Sequence, residues 1–274
     1  MEVRAGLQNY SARKTLSIRT SHDGSPHRTC DTEVASKAPS SALPFFIYQF
    51  CITNFLDESY ALVDNQAMRR GKFIVIDGID GSGKGTEIRL LKKAFAGTGT
   101  IFTREPGATQ RAQEIRNILL ERSKKDSSVS DSFLFWAARV MHVEEVIKPA
   151  LSAGKNVISD RFDSSTFAYQ VIADKHPELR PLFSECRKVV LRKCVPDAYI
   201  FLDLPVSVSM KRIKGDSTKR NKYDVKPEGY HKMVRQGFKK FASATRSKVF
   251  IVDASPSPEG VHKEVLGIVK KLLR

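Results

Sequence analysis

A glycine-rich segment that contains one lysine, residues 78–86 (GIDGSGKGT), has the composition of a phosphate-binding loop. It fits the pattern GxxxxGK, in which glycines let backbone N–H groups surround phosphate oxygens at the start of a helix. Lys84 adds a positive charge for the β- and γ-phosphates. Gly85 replaces the usual Ser or Thr, so we expect a magnesium ion to be contacted by Thr86 or through water. The segment predicts nucleotide binding; the alternative is a turn that only joins a strand to a helix.

Two further pairs of charged residues follow apolar runs of the chain. Arg104 and Glu105 end one run, and Asp160 and Arg161 end another. A single arginine at such a position is more often part of a surface ion pair. Together, two arginines and two carboxylates beside a phosphate loop form a second anion site that can also bind a metal. Hydrolysis needs no second anion site, so the set indicates transfer between two phosphorylated molecules.

Short apolar runs that alternate with helical segments predict the elements that position these residues. The predicted strands are residues 72–77, 100–103, 156–160, 198–203 and 248–253. The predicted helices are residues 84–96, 110–122, 131–153, 177–193, 207–214, 227–245 and 257–273, with Ser130 as the cap of the third. This order predicts an α/β fold with a five-stranded parallel sheet flanked by helices. Ligands of such sheets bind at the carboxyl ends of the strands.

Three motifs in this order resemble those of the thymidylate kinase family of the bacterial type, a family of P-loop nucleoside monophosphate kinases. They are GIDGSGKGT, TREPGATQ (residues 103–110) and DRFDSSTFAYQ (residues 160–170). The resemblance covers about residues 70–274. Two departures within the motifs are Ala108, where many relatives have a glycine, and Thr166, where some relatives have an amide. The resemblance implies that Mg-ATP donates its γ-phosphoryl group directly to the 5′-phosphate of dTMP, in dTTP biosynthesis. No protein nucleophile is required.

The resemblance also implies roles for individual residues at the phosphates. The ATP-binding set is Gly78, Gly81, Ser82, Gly83, Lys84, Gly85 and Thr86, with Arg212 and Arg220 as further candidates. Asp80 would orient the dTMP phosphate or the magnesium shell, and Asp160 and Thr86 would lie near the metal. Arg104 and Arg161 would bind the acceptor phosphate. The implied catalytic set is Asp80, Lys84, Arg104 and Arg161, while Glu105 would position the sugar or the arginines.

The remaining acceptor residues are implied in the same way. Phe135 would stack on thymine, Arg139 would reach the base or the phosphate, and Tyr169 would lie under the sugar and disfavour a 2′-hydroxyl. The base-edge candidates are Ser165, Thr166 and Gln170. Without the resemblance, Phe135 is interpreted as a core residue. The reason is that its predicted helix is widely apolar, with Phe133, Trp136, Val140 and Val143.

A basic segment, residues 215–224, is the candidate for a mobile lid that closes over phosphates. Its end reads Asn221-Lys222-Tyr223-Asp224, where the family commonly has Asp-Arg-Phe/Ile-Glu. The function of the lid arginine would therefore pass to Arg220 or Arg212, or be met by a lysine with poorer geometry. The alternative is a solvated basic loop.

Composition limits the classes of protein. The chain has 274 residues, a mass of 30.7 kDa and a net charge of +16. Residues 1–70 hold 8 basic and 7 acidic residues, and the rest of the chain holds 38 and 23, a surplus that suits small phosphates or nucleic acid. Four cysteines without a CxxC pair and six histidines without HExxH argue against a disulfide scaffold and a zinc site. No apolar run reaches the roughly 18 residues of a membrane span.

We divide the chain into an N-terminal extension, residues 1–70, and a kinase domain, residues 71–274. The extension fits a targeting peptide, a disordered tail or sequence upstream of a start at Met68. We expect a cytoplasmic homodimer that binds ATP and dTMP and neither nucleic acid nor membrane. The alternatives are a kinase for another acceptor, such as dUMP or a nucleoside, and a non-catalytic P-loop protein that binds nucleotides or nucleic acid. The pair of Arg104 and Arg161 argues against the non-catalytic protein.

Overall fold

The structure is a computed structural model that describes residues 18–20, 26–28, 70–121, 128–215 and 222–274. The chain divides into two compact units, Met1–Gln66 and Ala67–Arg274. In the first unit, β1 (Ile18–Thr20) pairs antiparallel with β2 (Pro26–Arg28), a pairing that the sequence pattern did not predict. Met68, Arg220 and most of the predicted lid lie outside the described residues.

Five parallel strands form the sheet of the second unit, as predicted. They are β3 (Phe73–Asp77), β4 (Ile101–Arg104), β5 (Val157–Asp160), β6 (Ala198–Asp203) and β7 (Lys248–Asp253). Their spatial order is β4-β5-β3-β6-β7. All five residues of the central strand β3 are buried, because helices cover both faces of a parallel sheet. Every predicted strand is confirmed within one residue at each end.

Helical segments occupy the connections between the strands. They are α1 (Lys84–Ala94), α2 (Gln110–Glu121), α3 (Ser128–His142), π1 (Val143–Ile147), α4 (Lys148–Ser152), α5 (Asp163–Thr166), π2 (Phe167–Ala173), α6 (Leu179–Leu191), α7 (Val206–Gly215), α8 (Glu228–Ala244) and α9 (Pro258–Leu273). The segments named π1 and π2 are π-helical. Six of the seven predicted helices agree with these bounds within two residues.

The predicted helix over residues 131–153 is wrong in two respects. It begins at Ser128, so Ser130 lies inside the helix and does not cap it. It is also interrupted by π1, where the backbone N–H of Lys148 bonds to the carbonyl of Val143. Pro149 follows this wide turn, and a proline cannot donate the regular hydrogen bond to the carbonyl four residues earlier.

The segment after β5, formed by α5 and π2, was not predicted as a helix. Its α-helical part has only four residues, and π2 has a wider turn than the 3.6-residue period that sequence patterns detect. Helix α8 packs closely against π2. A Cβ atom added at Gly237 of α8 would lie 2.7 Å from Cα of Ala168 and 2.9 Å from its carbonyl oxygen. Glycine at this position therefore allows the two backbones to approach.

We expect Gly237→Ala to lower the free energy of unfolding by about 1–3 kcal/mol, because the new methyl group meets backbone atoms that cannot rotate away. Gly267→Ala in α9 is the matched control. A Cβ atom there meets nothing within 4 Å, so the higher helix propensity of alanine should stabilise the protein by about 0.5–1 kcal/mol. Urea denaturation measures both effects, and equal effects of the two changes would contradict the close approach of α8 and π2.

Candidate active site

The register of the sheet brings three charged positions to the carboxyl ends of neighbouring strands. Arg104 of β4 pairs with Asp160 of β5, and Ile76, next to the terminal Asp77 of β3, pairs with the same Asp160. The glycine-rich segment follows Asp77 directly and leads into α1. The predicted phosphate loop and the charged strand ends therefore share one edge of the sheet.

The phosphate loop ends at Gly83, which precedes α1 with a left-handed φ of 93°. A Cβ atom added there meets nothing within 4 Å, so space remains in front of the helix N-terminus. The ammonium group of Lys84 donates to the carbonyls of Gly78 and Ile79, at 2.9 and 2.8 Å. Among the described residues, the buried hydroxyl of Ser82 has no hydrogen-bond partner. Backbone N–H groups, a cation and a spare hydroxyl thus surround a place suited to phosphate.

Lys84 is buried in a cluster of opposite charges. Burial lowers the pKa of Lys84 and the charge of Arg161 lowers it further, while Asp80, Asp160 and Asp77 raise it. The net effect is a lowered pKa. An anionic ligand beside Lys84 would favour its charged form.

Arg161 links the phosphate loop to the segment that follows β5. Its guanidinium donates to the carboxylate of Asp80, and it also donates to Ser165 Oγ at 3.1 Å. The Tyr169 hydroxyl donates to the other oxygen of Asp80 at 2.7 Å. Arg161 itself has a positive φ of 67°, a backbone conformation that a non-glycine residue keeps only when its surroundings enforce it. The predicted residues Asp80, Arg161, Ser165 and Tyr169 therefore form one hydrogen-bonded group.

The ionisation of Asp80 gives a pH-dependent prediction. Burial raises the pKa of Asp80, but the charges of Arg161 and Lys84 outweigh burial and hold the pKa below its usual 3.8. A lowered folded-state pKa stabilises the protein above the unfolded pKa, and this stability is lost as the pH falls through the folded pKa. The unfolding free energies of wild type and Asp80→Asn should therefore differ most near about pH 7 and converge below about pH 4. A gap that widens on acidification, in urea denaturation, would contradict this.

Sequence reasoning missed Asp77, although its position between an apolar strand and the glycine-rich loop was a usable signal. Its buried carboxylate accepts hydrogen bonds from the Gly78 backbone at 2.9 Å, from Ser164 Oγ at 2.7 Å and from Ser165 Oγ at 2.9 Å. Burial raises its pKa, and Arg161 and Lys84 oppose that rise. Asp77 therefore joins the phosphate loop to α5.

Arg139 lies fully buried in the wall of the acceptor side. Its Nε donates to Glu105 at 2.9 Å, and its Nη2 donates to Thr166 Oγ1 at 3.0 Å. Glu105 also bonds to His142 Nδ1 at 2.8 Å, and the guanidinium lies 4.5 Å from the Trp136 ring centre. Among the described residues, the buried Nη1 of Arg139 has no partner. Both N–H bonds of Nη1 thus lack an acceptor among these residues, in a guanidinium whose other two nitrogens are held by hydrogen bonds.

A cavity of about 260 Å³ brings the acceptor candidates together. Its lining includes every predicted substrate-binding residue except Arg104, namely Asp80, Glu105, Phe135, Arg139, Arg161, Ser165, Thr166, Tyr169 and Gln170. It also includes Arg116 and Tyr223, which sequence reasoning did not assign to a pocket. Phe135 is partly buried and faces this cavity, whereas Phe133 and Val140 of the same helix are 53% and 42% exposed. The apolar residues of α3 therefore differ in their surroundings: Phe135 lines the cavity, whereas Phe133 and Val140 are exposed to solvent.

Arg104 does not line the cavity. Its exposed guanidinium donates to Gln113 at 3.3 Å. Arg116 of α2, in contrast, lines the cavity and donates to the carbonyl of Pro106 at 3.0 Å. Burial lowers the pKa of Arg116, and the charges of Arg104 and Arg161 lower it further. Three arginines therefore concentrate positive charge here.

The predicted metal residues Asp80, Thr86 and Asp160 differ in how many hydrogen bonds they already make. Within the described ranges, no group of three or more His, Cys, Asp or Glu residues could hold a metal ion. The buried Oδ1 of Asp160 has no partner among these residues, whereas Asp80 is bonded to Arg161 and Tyr169, and Thr86 accepts from Arg89 at 3.0 Å. Mg²⁺ is commonly held by one or two carboxylates, substrate phosphates and water. Asp160 fits that mode of binding.

Two basic residues from the predicted ATP-binding set and the predicted lid, Arg212 and Lys222, have different surroundings. Arg212 of α7 donates to the carbonyls of Gly81, at 3.4 Å, and Ala254, at 3.3 Å, and so bridges the loop and the end of β7. Lys222, from the end of the predicted lid, is paired with Asp131 at the start of α3. Lys222 is therefore directed toward the acceptor side.

A parallel sheet with a phosphate loop at one strand end and a second, arginine-rich pocket beside it defines a P-loop nucleoside monophosphate kinase. The family model described as thymidylate kinase matches residues 76–265. The chain is 40% identical to a thymidylate kinase of Symbiobacterium thermophilum over 205 residues, which cover 73% of this chain and 94% of the relative. This chain belongs to the thymidylate kinase family.

Further comparisons agree with this membership. The chain is 37% identical to a thymidylate kinase of Gluconobacter oxydans, with 74% of this chain and 96% of the relative covered. The crystal structure of thymidylate kinase from Ehrlichia chaffeensis matches with a TM-score of 0.59 at 27% identity, covering 73% of this chain and 99% of that chain. In the described parts of the protein, no helix has the length and hydropathy needed to cross a membrane.

Proposed function

We propose that the protein transfers the γ-phosphoryl group of ATP to the 5′-phosphate of dTMP with the help of Mg²⁺. The family to which the chain belongs phosphorylates dTMP. The observation that carries the proposal for this chain is the cavity beside the phosphate loop. It joins the phosphate-binding group of Arg161 and Asp80 to a wall formed by Phe135 and Arg139. A nucleoside monophosphate presents a phosphate and a base to these two regions.

On the donor side, the chain supplies alignment and charge. The predicted ATP residues Gly78, Gly81, Ser82, Gly83, Lys84, Gly85 and Thr86 surround the phosphates. The Lys84 ammonium exchanges its two carbonyl partners for phosphate oxygens. Arg212 lies across the loop, and Arg220 is proposed from the sequence alone. Asp160 would hold Mg²⁺, with Asp80 and Thr86 as further candidates from the sequence, and the ion neutralises developing phosphate charge when bound.

On the acceptor side, Arg161 binds the dTMP phosphate, with Arg116 and Arg104 as supporting cations. Asp80 holds Arg161 in place, and Tyr169 lies under the sugar. The acceptor phosphate oxygen then attacks the γ-phosphorus directly, so that rate enhancement arises from alignment and from stabilised charge.

The proposed contacts with the thymine base are made by the cavity wall that contains Phe135 and Arg139. Phe135 stacks on the pyrimidine ring, and the spare Nη1 of Arg139 donates to a ring carbonyl oxygen. Glu105 accepts a hydrogen bond from the guanidinium, and His142 in turn holds Glu105 in place. Ser165, Thr166 and Gln170 complete the edge that faces the base.

We further propose a cytoplasmic homodimer with a kinase domain over residues 71–274 and an N-terminal extension over residues 1–70. The division is supported by the family match, which begins at residue 76. The dimer is supported by exposed apolar side chains on the adjoining helices α2 and α3. They are Ile118 (49% exposed), Phe133 (53%) and Val140 (42%). A single-chain mass in light scattering would contradict the dimer.

The proposed reaction is tested by ADP release from the purified protein with Mg-ATP and a panel of acceptors. The panel is dTMP, dUMP, dCMP, dGMP, AMP and thymidine. We expect turnover on dTMP, weaker turnover on dUMP and little on the others. Turnover confined to another acceptor would reject the assigned base pocket and retain a kinase. No turnover on any acceptor despite ATP binding would reject the reaction.

A further inference from the structure

Three side chains that are distant in sequence form a hydrogen-bonded row at the edge of the acceptor cavity. The Tyr223 hydroxyl donates to Asp131 Oδ2 at 3.4 Å, and Gln170 Nε2 donates to the Tyr223 oxygen at 3.4 Å. Tyr223 also packs edge-on against Tyr169, with ring centres 5.6 Å apart. Tyr223 and Gln170 both line the cavity, whereas Asp131 lies behind them in the first turn of α3.

The Asp131 carboxylate determines which group donates and which accepts in each hydrogen bond of this row. Lys222 forms an ion pair with the carboxylate of Asp131. A carboxylate only accepts hydrogen bonds, so the proton of the Tyr223 hydroxyl points toward Asp131. Burial and the charge of Asp131 both raise the pKa of Tyr223, which keeps this proton in place at neutral pH. The Tyr223 oxygen is then an acceptor toward the Gln170 amide.

Because the Tyr223 oxygen accepts from Gln170, the amide nitrogen and the amide oxygen of Gln170 have different roles. Its NH₂ group faces Tyr223, so its carbonyl oxygen is left for the cavity. Arg139 also lines the cavity, and its buried Nη1 is a donor without a partner among the described residues. A donor and an acceptor are thus offered to the base.

Resting on the proposed function, we propose that Asp131 and Tyr223 are positioning residues that determine base selectivity by fixing the orientation of the Gln170 amide. The donor of Arg139 and the acceptor of Gln170 suit a pyrimidine edge with a carbonyl oxygen beside a ring N–H, as in thymine and uracil. Cytosine presents an amino group beside an unprotonated ring nitrogen, the opposite arrangement. It would leave buried polar groups unpaired, and such mismatches discriminate strongly.

The test compares kcat/KM for dTMP, dUMP and dCMP at saturating Mg-ATP. Tyr223→Phe removes the acceptor that orients Gln170, and it should lower the dTMP/dCMP ratio about tenfold while the dTMP/dUMP ratio stays unchanged. Asp131→Asn can donate to the Tyr223 oxygen. The hydroxyl is then free to donate to Gln170, the amide reverses, and the ratio should fall further than in Tyr223→Phe.

Tyr199→Phe is the matched control. It removes a tyrosine hydroxyl that also donates to a carboxylate, Asp163 at 2.6 Å, but lies outside the cavity lining. It should lower the melting temperature and leave both ratios unchanged. The inference is overturned if Tyr223→Phe keeps the wild-type dTMP/dCMP ratio, or if wild type accepts dCMP as well as dTMP. Wild type that is inactive on dTMP rejects the proposed function instead.

Discussion

Replacing Arg161 by alanine is expected to lower kcat/KM for dTMP phosphorylation by about three orders of magnitude. Arg161 is the cation that contacts both Asp80 and Ser165 at the mouth of the phosphate loop. Without it, the negatively charged acceptor phosphate must approach the ATP phosphates with less compensating charge and without a guanidinium to hold its geometry. Most of the loss should appear in kcat, because Arg161 would align the acceptor oxygen with the γ-phosphorus and offset phosphate charge in the transition state.

The experiment measures ADP release as a function of dTMP concentration. Arg161→Lys keeps the charge without the two-pronged geometry, and we expect it to recover only part of the activity. Arg180→Ala, on the exposed face of α6, is the control for loss of an arginine and should retain wild-type turnover. An Arg161→Ala enzyme with turnover within a factor of about three of wild type would remove this residue from the mechanism.

Lys84→Ala is expected to lower turnover by about two to four orders of magnitude. The Lys84 ammonium is buried at the N-terminus of α1 and is surrounded by Asp77, Asp80 and Asp160. Its two present partners are carbonyls of the loop itself, so it can move to phosphate oxygens without breaking a contact to another element. Alanine removes the charge while the glycine loop remains.

The matched control for this change is Lys92→Ala, an exposed lysine of the same helix. Both variants should give wild-type circular dichroism, which separates loss of chemistry from loss of fold. KM for ATP and kcat are measured together, because a ground-state contact alone would raise KM and leave kcat unchanged. That outcome would assign Lys84 to binding only.

The phosphate loop and the strand ends were predictable because their geometry is local. The pattern GxxxxGK contains its own turn residues, and the apolar run before it marks the buried strand β3. Asp80, Lys84 and Arg161 were therefore placed correctly at one edge of the sheet. The resemblance to thymidylate kinases added Phe135, Arg139 and Gln170, whose types alone do not distinguish a pocket from a core.

The features that the sequence did not predict, π2 and the position of Arg116, have no signature in the regular hydrophobic periods of helices and strands. The π-helical segment π2 places Tyr169 and Gln170 on the cavity, and a π-helical turn does not produce the 3.6-residue repeat that predicts an α-helix. Arg116 lies in a predicted helix, but its approach to Pro106 depends on how α2 packs beside β4. Such relations are invisible to a pattern of single residues.

The sequence by itself determined the strand order along the chain, the phosphate loop and the charges that follow the strands. Tertiary structure alone decided which partner each charge meets: Asp77 with Ser165, Glu105 with Arg139, and Asp131 with Tyr223. These partners are separated by 88, 34 and 92 residues. Local propensity fixes backbone geometry over a few residues, but contacts at such separations form only when packing of the sheet and helices removes these groups from water and makes an unpaired polar group costly.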